Sequence, residues 1–172
     1  MRKTISPGWL GAAAAAILFS YGPLSQAVAA QPVDDSAVVM TDKGAVRGAT
    51  RGGVREFKGI PYALPPTGEL RWSMPKPAAA WSGTLDATRY RSPCPQAERY
   101  GIPESSDNED CLYLNVTAPE RKPRFGRKRA VIVWIHGGAF VGGSSALYPL
   151  DTLARSGDVV VVSMNYRLGV FG

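Results

Sequence analysis

Apolar residues run through this chain in short bursts separated by turn formers, and the bursts predict its elements. Ala37–Thr41 and Ala45–Thr50 flank Asp42-Lys43-Gly44 and read as a β-hairpin. Val54–Lys58 adds a third strand. Pro61, Pro65, Pro66, Pro75 and Pro77 then rule out regular helix or strand, so an ordered surface coil is expected, pinned by Trp72 and Trp81. Leu112–Thr117 alternates toward a strand. Ala130–Ile135 is apolar on both faces, which suits a strand buried in a parallel sheet. Ala146–Arg155 places Leu147, Leu150, Leu153 and Ala154 at helical spacing, with Pro149 making its start irregular. Val159–Ser163 is a second all-apolar strand. Strand, glycine turn, helix and strand make a βαβ unit, the seed of a parallel sheet.

The first residues have a different pattern. Arg2 and Lys3 precede an apolar run from Trp9 to Phe19, and Ala27-Val28-Ala29 supplies small residues for cleavage. Residues 1–29 therefore read as a signal peptide, and residues 30–172 as part of a single domain in a secreted or periplasmic protein. The run is too short to span a membrane, so no stable insertion is expected once it is removed; a retained anchor is the alternative. Two cysteines, Cys94 and Cys111, suggest one disulfide in an exported chain. With one histidine they cannot make the usual four-ligand metal set, and neither metal nor cofactor is expected. The formal net charge is +6, much of it in the Arg121–Arg129 loop. Pro123 and Gly126 break any helix there, and the loop reads as solvated rather than as a nucleic-acid-binding tail.

The candidate chemistry lies in Val131–Gly143, VIVWIHGGAFVGG. The glycines let the backbone turn at the strand end and leave N–H groups uncovered. Such groups hold the negative oxygen of a tetrahedral intermediate. The segment does not match G-x-G-x-x-G, which a dinucleotide site requires. A nucleophile elbow, G-x-S-x-G, is missing from these residues. Gly142-Gly143-Ser144-Ser145-Ala146 comes near it, but Ser144 stands eight residues past His136, after the turn. A helix N-cap is the expected role of Ser144 or Ser145.

Five segments carry a resemblance: GAVRG (Gly44–Gly48), FKGIPYALPPTGELRW (Phe57–Trp72), NEDCLYLNV (Asn108–Val116), VWIHGGAF (Val133–Phe140) and VVVVSMNYRLGVFG (Val159–Gly172). In this order the chain resembles the N-terminal part of a type-B carboxylesterase, the family of cholinesterases and para-nitrobenzyl esterases. The resemblance implies an α/β-hydrolase fold, truncated, with an antiparallel hairpin leading into a mostly parallel central sheet. It makes Gly138 and Ala139 oxyanion-hole donors, Ala139 standing where a third glycine is commoner. It also implies a Cys94–Cys111 disulfide and an Arg71–Glu109 ion pair, with Asp110 making local backbone bonds. His136 would shape the loop, because the α/β-hydrolase order of serine, acid and histidine leaves it no role as base. Arg167 resembles a family arginine whose acidic partner lies further along, and here it would be uncompensated.

The implied reaction is hydrolysis of a small-molecule carboxylic ester through a serine acyl-enzyme. Nucleophile, acid and base are not in these residues, so the expectation is an N-terminal fragment, inactive alone. The alternative is a non-catalytic secreted binding module or pseudoenzyme on the esterase fold.

Overall fold

The computed structural model describes residues 37–98, 101, 103–123 and 126–172. All lie in the unit Pro32–Gly172. The expected signal peptide falls outside the described residues.

β1 (Val38–Met40) and β2 (Ala45–Arg47) form an antiparallel hairpin that sets Val39 opposite Val46. Its turn closes when Thr41 donates to Gly44 O through both N–H (3.0 Å) and Oγ1 (2.8 Å). The second arm ends at Arg47 rather than Thr50. At Gly48 the chain passes so close to a later strand that a Cβ would stand 2.3 Å from Glu56 O. There it changes sheets, and β3 (Ala49–Arg51) pairs with β4 (Val54–Pro61) instead. β4 also outruns the expected Lys58, because Ile60 and Pro61 pair with Leu114 and Tyr113 beyond a register shift.

The hairpin extends to β5 (Thr84–Asp86), which runs parallel to β2. The larger sheet adds β6 (Tyr113–Pro119), β7 (Val131–Ile135) and β8 (Val160–Met164), in the order β3-β4-β6-β8-β7. Among the described residues this sheet is mixed, the part of the fold that leads into the parallel pair. Only β7–β8 is parallel in it; β3–β4, β4–β6 and β6–β8 are antiparallel. A parallel pair needs a crossover. The described residues of this sheet make one, through α1 (Asp151–Gly157).

α1 is shorter than the periodicity of Ala146–Arg155 predicts. Ser145–Leu147 forms a 3-10 turn, and the α-helix begins only after Pro149. Ala154 is fully buried and packs with Val54 and Val161, joined by Trp134, Leu150 and Val159. At the helix end Asp158 takes a left-handed conformation, accepts from Arg129 Nε (2.8 Å) and forms an ion pair with Arg121 (3.1 Å). The basic loop is therefore partly tied down rather than wholly solvated.

A second cluster, Val46, Phe57 and Ala87, joins the small sheet to β4. Trp81 packs there and donates Nε1 to Ala45 O at 2.9 Å. Trp72 behaves differently: it is 68% exposed, donates Nε1 to Val170 O at 2.8 Å and stacks on Phe171. β7 stands at the sheet edge, and Val131, Ile132, Val133 and Ile135 are exposed in the described residues. Among those residues no helix is long and apolar enough to cross a membrane.

Candidate active site

β7 and β8 are parallel with Ile135 beside Met164, so the segments leaving them emerge at the same end of the sheet. Open α/β sheets bind ligands at this end. The His136 ring stacks on Tyr166 at 4.3 Å between centroids, and Tyr166 Oη donates to His136 O at 2.5 Å. Burial pushes the Tyr166 hydroxyl above its ordinary pKa, which keeps it protonated and a donor. Gly169 N donates to Phe140 O at 2.7 Å. These contacts tie the glycine turn after β7 to the turn after β8.

The turn itself is tight. Gly138 has φ of 128°, and a Cβ there would stand 1.8 Å from Gly142 O. Only glycine fits. Ala139 and Phe140 follow with φ of 53° and 61°, a region that costs L-residues about 1 kcal/mol or more each. Gly138 O accepts from Val141 N (3.0 Å) and Gly142 N (3.2 Å). Among the described residues nothing accepts from the N–H of Gly138 or Ala139. Adjacent unpaired N–H groups at a strand end are suited to an anionic oxygen.

His136 is buried, 3% exposed, with Nδ1 2.9 Å from Gly137 O. Its Nε2 has no partner among the described residues. Ser144 caps the 3-10 turn Ser145–Leu147, its Oγ accepting from Ala146 N at 3.2 Å. Past the cap, Asn115 Nδ2 donates to Ser145 Oγ (2.8 Å) and to Ser163 Oγ (3.3 Å). Asn165 Oδ1 accepts from Ser145 N (2.9 Å) and Ser145 Oγ (2.8 Å), while its Nδ2 donates to Ser92 O (3.1 Å). This buried network fixes the exit of the turn to β6 and to the segment after β8.

Cys94 and Cys111 are joined in a disulfide, Cα–Cα 4.9 Å, packed with Leu112 and Leu168. Gln96, two residues on, bonds to Gly143 through both ends of its carboxamide. Arg71 meets Glu109 in a two-point pair, with Nε donating to Oε2 at 2.7 Å and Nη2 to Oε1. The guanidinium hydrogen bond holds the Glu109 carboxyl below its usual range and raises Arg71 in turn. Asp110 does more than make local backbone bonds. Its N–H donates to Asn108 Oδ1 (2.9 Å), but its carboxylate accepts from Tyr113 Oη (2.8 Å). Burial, helped by that bond, pushes Tyr113 up to about 12. Arg167 donates to Ser73 O at 3.0 Å and has no acidic partner among the described residues.

Gln96, Asn115, Asn165 and Tyr166 are not singled out by the sequence. Asn115 and Asn165 do leave a trace, as amides within or just after apolar strands. A lone amide there needs buried partners. Gln96 leaves none, since its partner is 47 positions away.

The chain matches the carboxylesterase family model over residues 35–172. The para-nitrobenzyl esterase of Bacillus subtilis (strain 168) is 47% identical over 143 residues, covering 78% of this chain and 28% of that protein. The fumonisin B1 esterase of Sphingopyxis macrogoltabida is 44% identical over 166 residues, 94% of this chain and 30% of its own length. A solved PNB esterase structure superposes with a TM-score of 0.70 at 47% identity, covering 78% of this chain and 28% of that one. The chain thus spans less than a third of the length of these relatives. With the family model matched over residues 35–172 and its mixed sheet superposing on part of an α/β-hydrolase, the chain belongs to the carboxylesterase family.

Proposed function

We propose that residues 30–172 form the oxyanion-hole-bearing part of an exported serine carboxylesterase acting on small-molecule carboxylic esters. The observation that carries this is the turn after β7, where the N–H groups of Gly138 and Ala139 are unpaired among the described residues. In the reaction a serine Oγ attacks the ester carbonyl carbon, and its proton passes to a histidine base. The carbonyl π electrons move to oxygen, and Gly138 and Ala139 N–H stabilise the oxyanion. The protonated histidine gives its proton to the leaving oxygen as collapse expels the alcohol and leaves an acyl-enzyme, which water hydrolyses by the same path. The serine, acid and base are supplied by sequence outside these residues, so residues 30–172 alone have no turnover. Cys94–Cys111 and Arg71–Glu109 serve as structural ties, and His136 shapes the turn.

Replacing the Ala139 amide with an ester linkage in the complete esterase deletes one donor without changing any side chain. The expected result is a fall of about 100-fold in kcat on para-nitrophenyl acetate; an unchanged kcat overturns the assignment. The second reading is a secreted binding module or pseudoenzyme on the esterase fold. It requires no esterase activity from the complete gene product. Export is supported by Arg2, Lys3, the following apolar run and Ala27-Val28-Ala29. N-terminal sequencing of secreted material should begin at Ala30 or Gln31, and material still starting at Met1 would refute cleavage.

A further inference from the structure

We propose that Gln96 is a positioning residue for the oxyanion turn: its carboxamide grips Gly143 and through it sets the direction of the Gly138 and Ala139 N–H groups. The inference rests on the assignment of those two N–H groups as oxyanion donors. Gly143 N donates to Gln96 Oε1 at 2.6 Å, and Gln96 Nε2 donates to Gly143 O at 3.0 Å. One side chain thus holds the peptide planes on both sides of Gly143, at a φ of 109°.

Gly143 is where the turn closes on its own beginning. A Cβ on it would stand 2.6 Å from Gly137 O and 2.8 Å from His136 Nδ1. Gly137 O and Gly138 N–H belong to one planar peptide unit, so whatever confines that oxygen also aims the N–H. The same logic applies one unit on. Gly142, the neighbour of Gly143, donates to Gly138 O at 3.2 Å. Gly138 O and Ala139 N–H share the next peptide plane. Both donors are therefore aimed by backbone that Gln96 holds in place. The left-handed Ala139 and Phe140 give this turn a reason to relax when the grip is lost.

Gln96 is itself fixed. Its Nε2 also donates to Cys94 O at 3.1 Å, and its backbone exchanges bonds with Ser106 at 2.9 and 3.0 Å. The disulfide-closed loop therefore presents Gln96 to a turn 47 positions away. The residue type is specific. The site needs an acceptor for Gly143 N–H and a donor for Gly143 O in one fork. An ionised glutamate has no donor, and leucine has neither.

The test uses the complete esterase with Gln96→Leu and Gln96→Glu. Each should lower kcat on para-nitrophenyl acetate by about 10- to 100-fold, the effect of a small misplacement, with KM changed by no more than about twofold. Affinity for a trifluoromethyl ketone, whose serine adduct bears an oxyanion, should fall in proportion to kcat/KM. Hydrogen exchange in peptides covering 137–143 should speed up, while β6 and β8 peptides keep their protection. Where Gln96→Leu does not fold, the near-isosteric Gln96→Glu decides. Unchanged kcat and ketone affinity overturn the proposal. So does a loss confined to the fraction of titratable active sites, which marks a merely structural role. The Ala139 ester variant separates the two claims. If it leaves kcat intact, the oxyanion reading fails. If it lowers kcat while both Gln96 variants stay wild-type, only the role of Gln96 fails.

Discussion

Residues 131–135 and 136–145 are consecutive, yet they reverse the usual relation between polarity and burial. β7 is wholly apolar, and Val131, Val133 and Ile135 are 60%, 56% and 66% exposed. The turn that follows is polar and glycine-rich, yet His136, Ser144 and Ser145 are 3%, 1% and 3% exposed. The strand is fixed from one side, by backbone bonds to β8. Gln96 on one distant segment and the adjacent Asn165 and Tyr166 on another hold the turn, each satisfying a polar group that burial would otherwise penalise. Apolar pattern locates an element here, but long-range hydrogen bonds shape the site.

The sharpest way to break this contrast is at Gly138. Gly138→Ala forces a Cβ onto Gly142 O at 1.8 Å in a left-handed backbone. The turn must open, and we expect about 3 kcal/mol lost in stability and at least about 100-fold in kcat of the complete esterase. Gly137→Ala one residue earlier meets only Tyr148 Oη at 3.7 Å and should change stability by less than about 1 kcal/mol. Urea midpoints and steady-state rates check the pair; equal effects would show that the turn is not sterically defined.

The disulfide comes next. Cys94→Ser with Cys111→Ser opens a loop of sequence separation 17, worth about 3 kcal/mol. If the loop exists to present Gln96, kcat should fall even at temperatures where the variant stays folded. Retained kcat with lowered stability would confine the bridge to stability alone.

These two tests also mark what was legible. Most elements could be read because β strands and the βαβ unit follow local alternation and turn residues; the short β5 could not. The motif strings located the glycine turn, Arg71 and Glu109. Two other things escaped. The hairpin arm splits at Gly48 because of a close approach to Glu56, a tertiary fact with no local signature. Gln96 escaped because an exposed-looking polar residue in a polar loop carries no sign of its partner. β7 was legible as a strand, and its all-apolar pattern marks faces that stay exposed until further elements cover them.

Asn165→Ala tests the turn's anchoring more gently. It leaves Ser145 N–H without its acceptor and Ser92 O without its donor, for about 2 kcal/mol. Chemical unfolding should show the loss; a change under about 0.5 kcal/mol would mean that water replaces the amide. On the strand side, Val133→Lys should leave the stability of residues 30–172 within about 0.5 kcal/mol and reduce its self-association, because a charge blunts an exposed apolar edge. Light scattering at rising concentration decides; unchanged association would place the sticky surface elsewhere.

The smallest effect belongs to Arg71–Glu109, and it depends on pH. The Arg71 hydrogen bond lowers the Glu109 carboxyl in the folded chain. A carboxyl depressed by folding contributes stability that is fully present above its unfolded pKa, about 4.3. That contribution drains away as pH falls from there through the lower folded value. Glu109→Gln keeps the size and one acceptor but cannot ionise. The variant should be slightly less stable than the parent at neutral pH, and the gap should close as pH drops below about 4. Added salt should narrow the gap at neutral pH, since the Arg71 side chain is 37% exposed and screening reaches it. Urea unfolding across this pH range gives the answer. A gap that stays constant with pH would mean that the pair acts through packing and neutral hydrogen bonds. Arg71 would then tie its coil to the start of β6 without help from its charge.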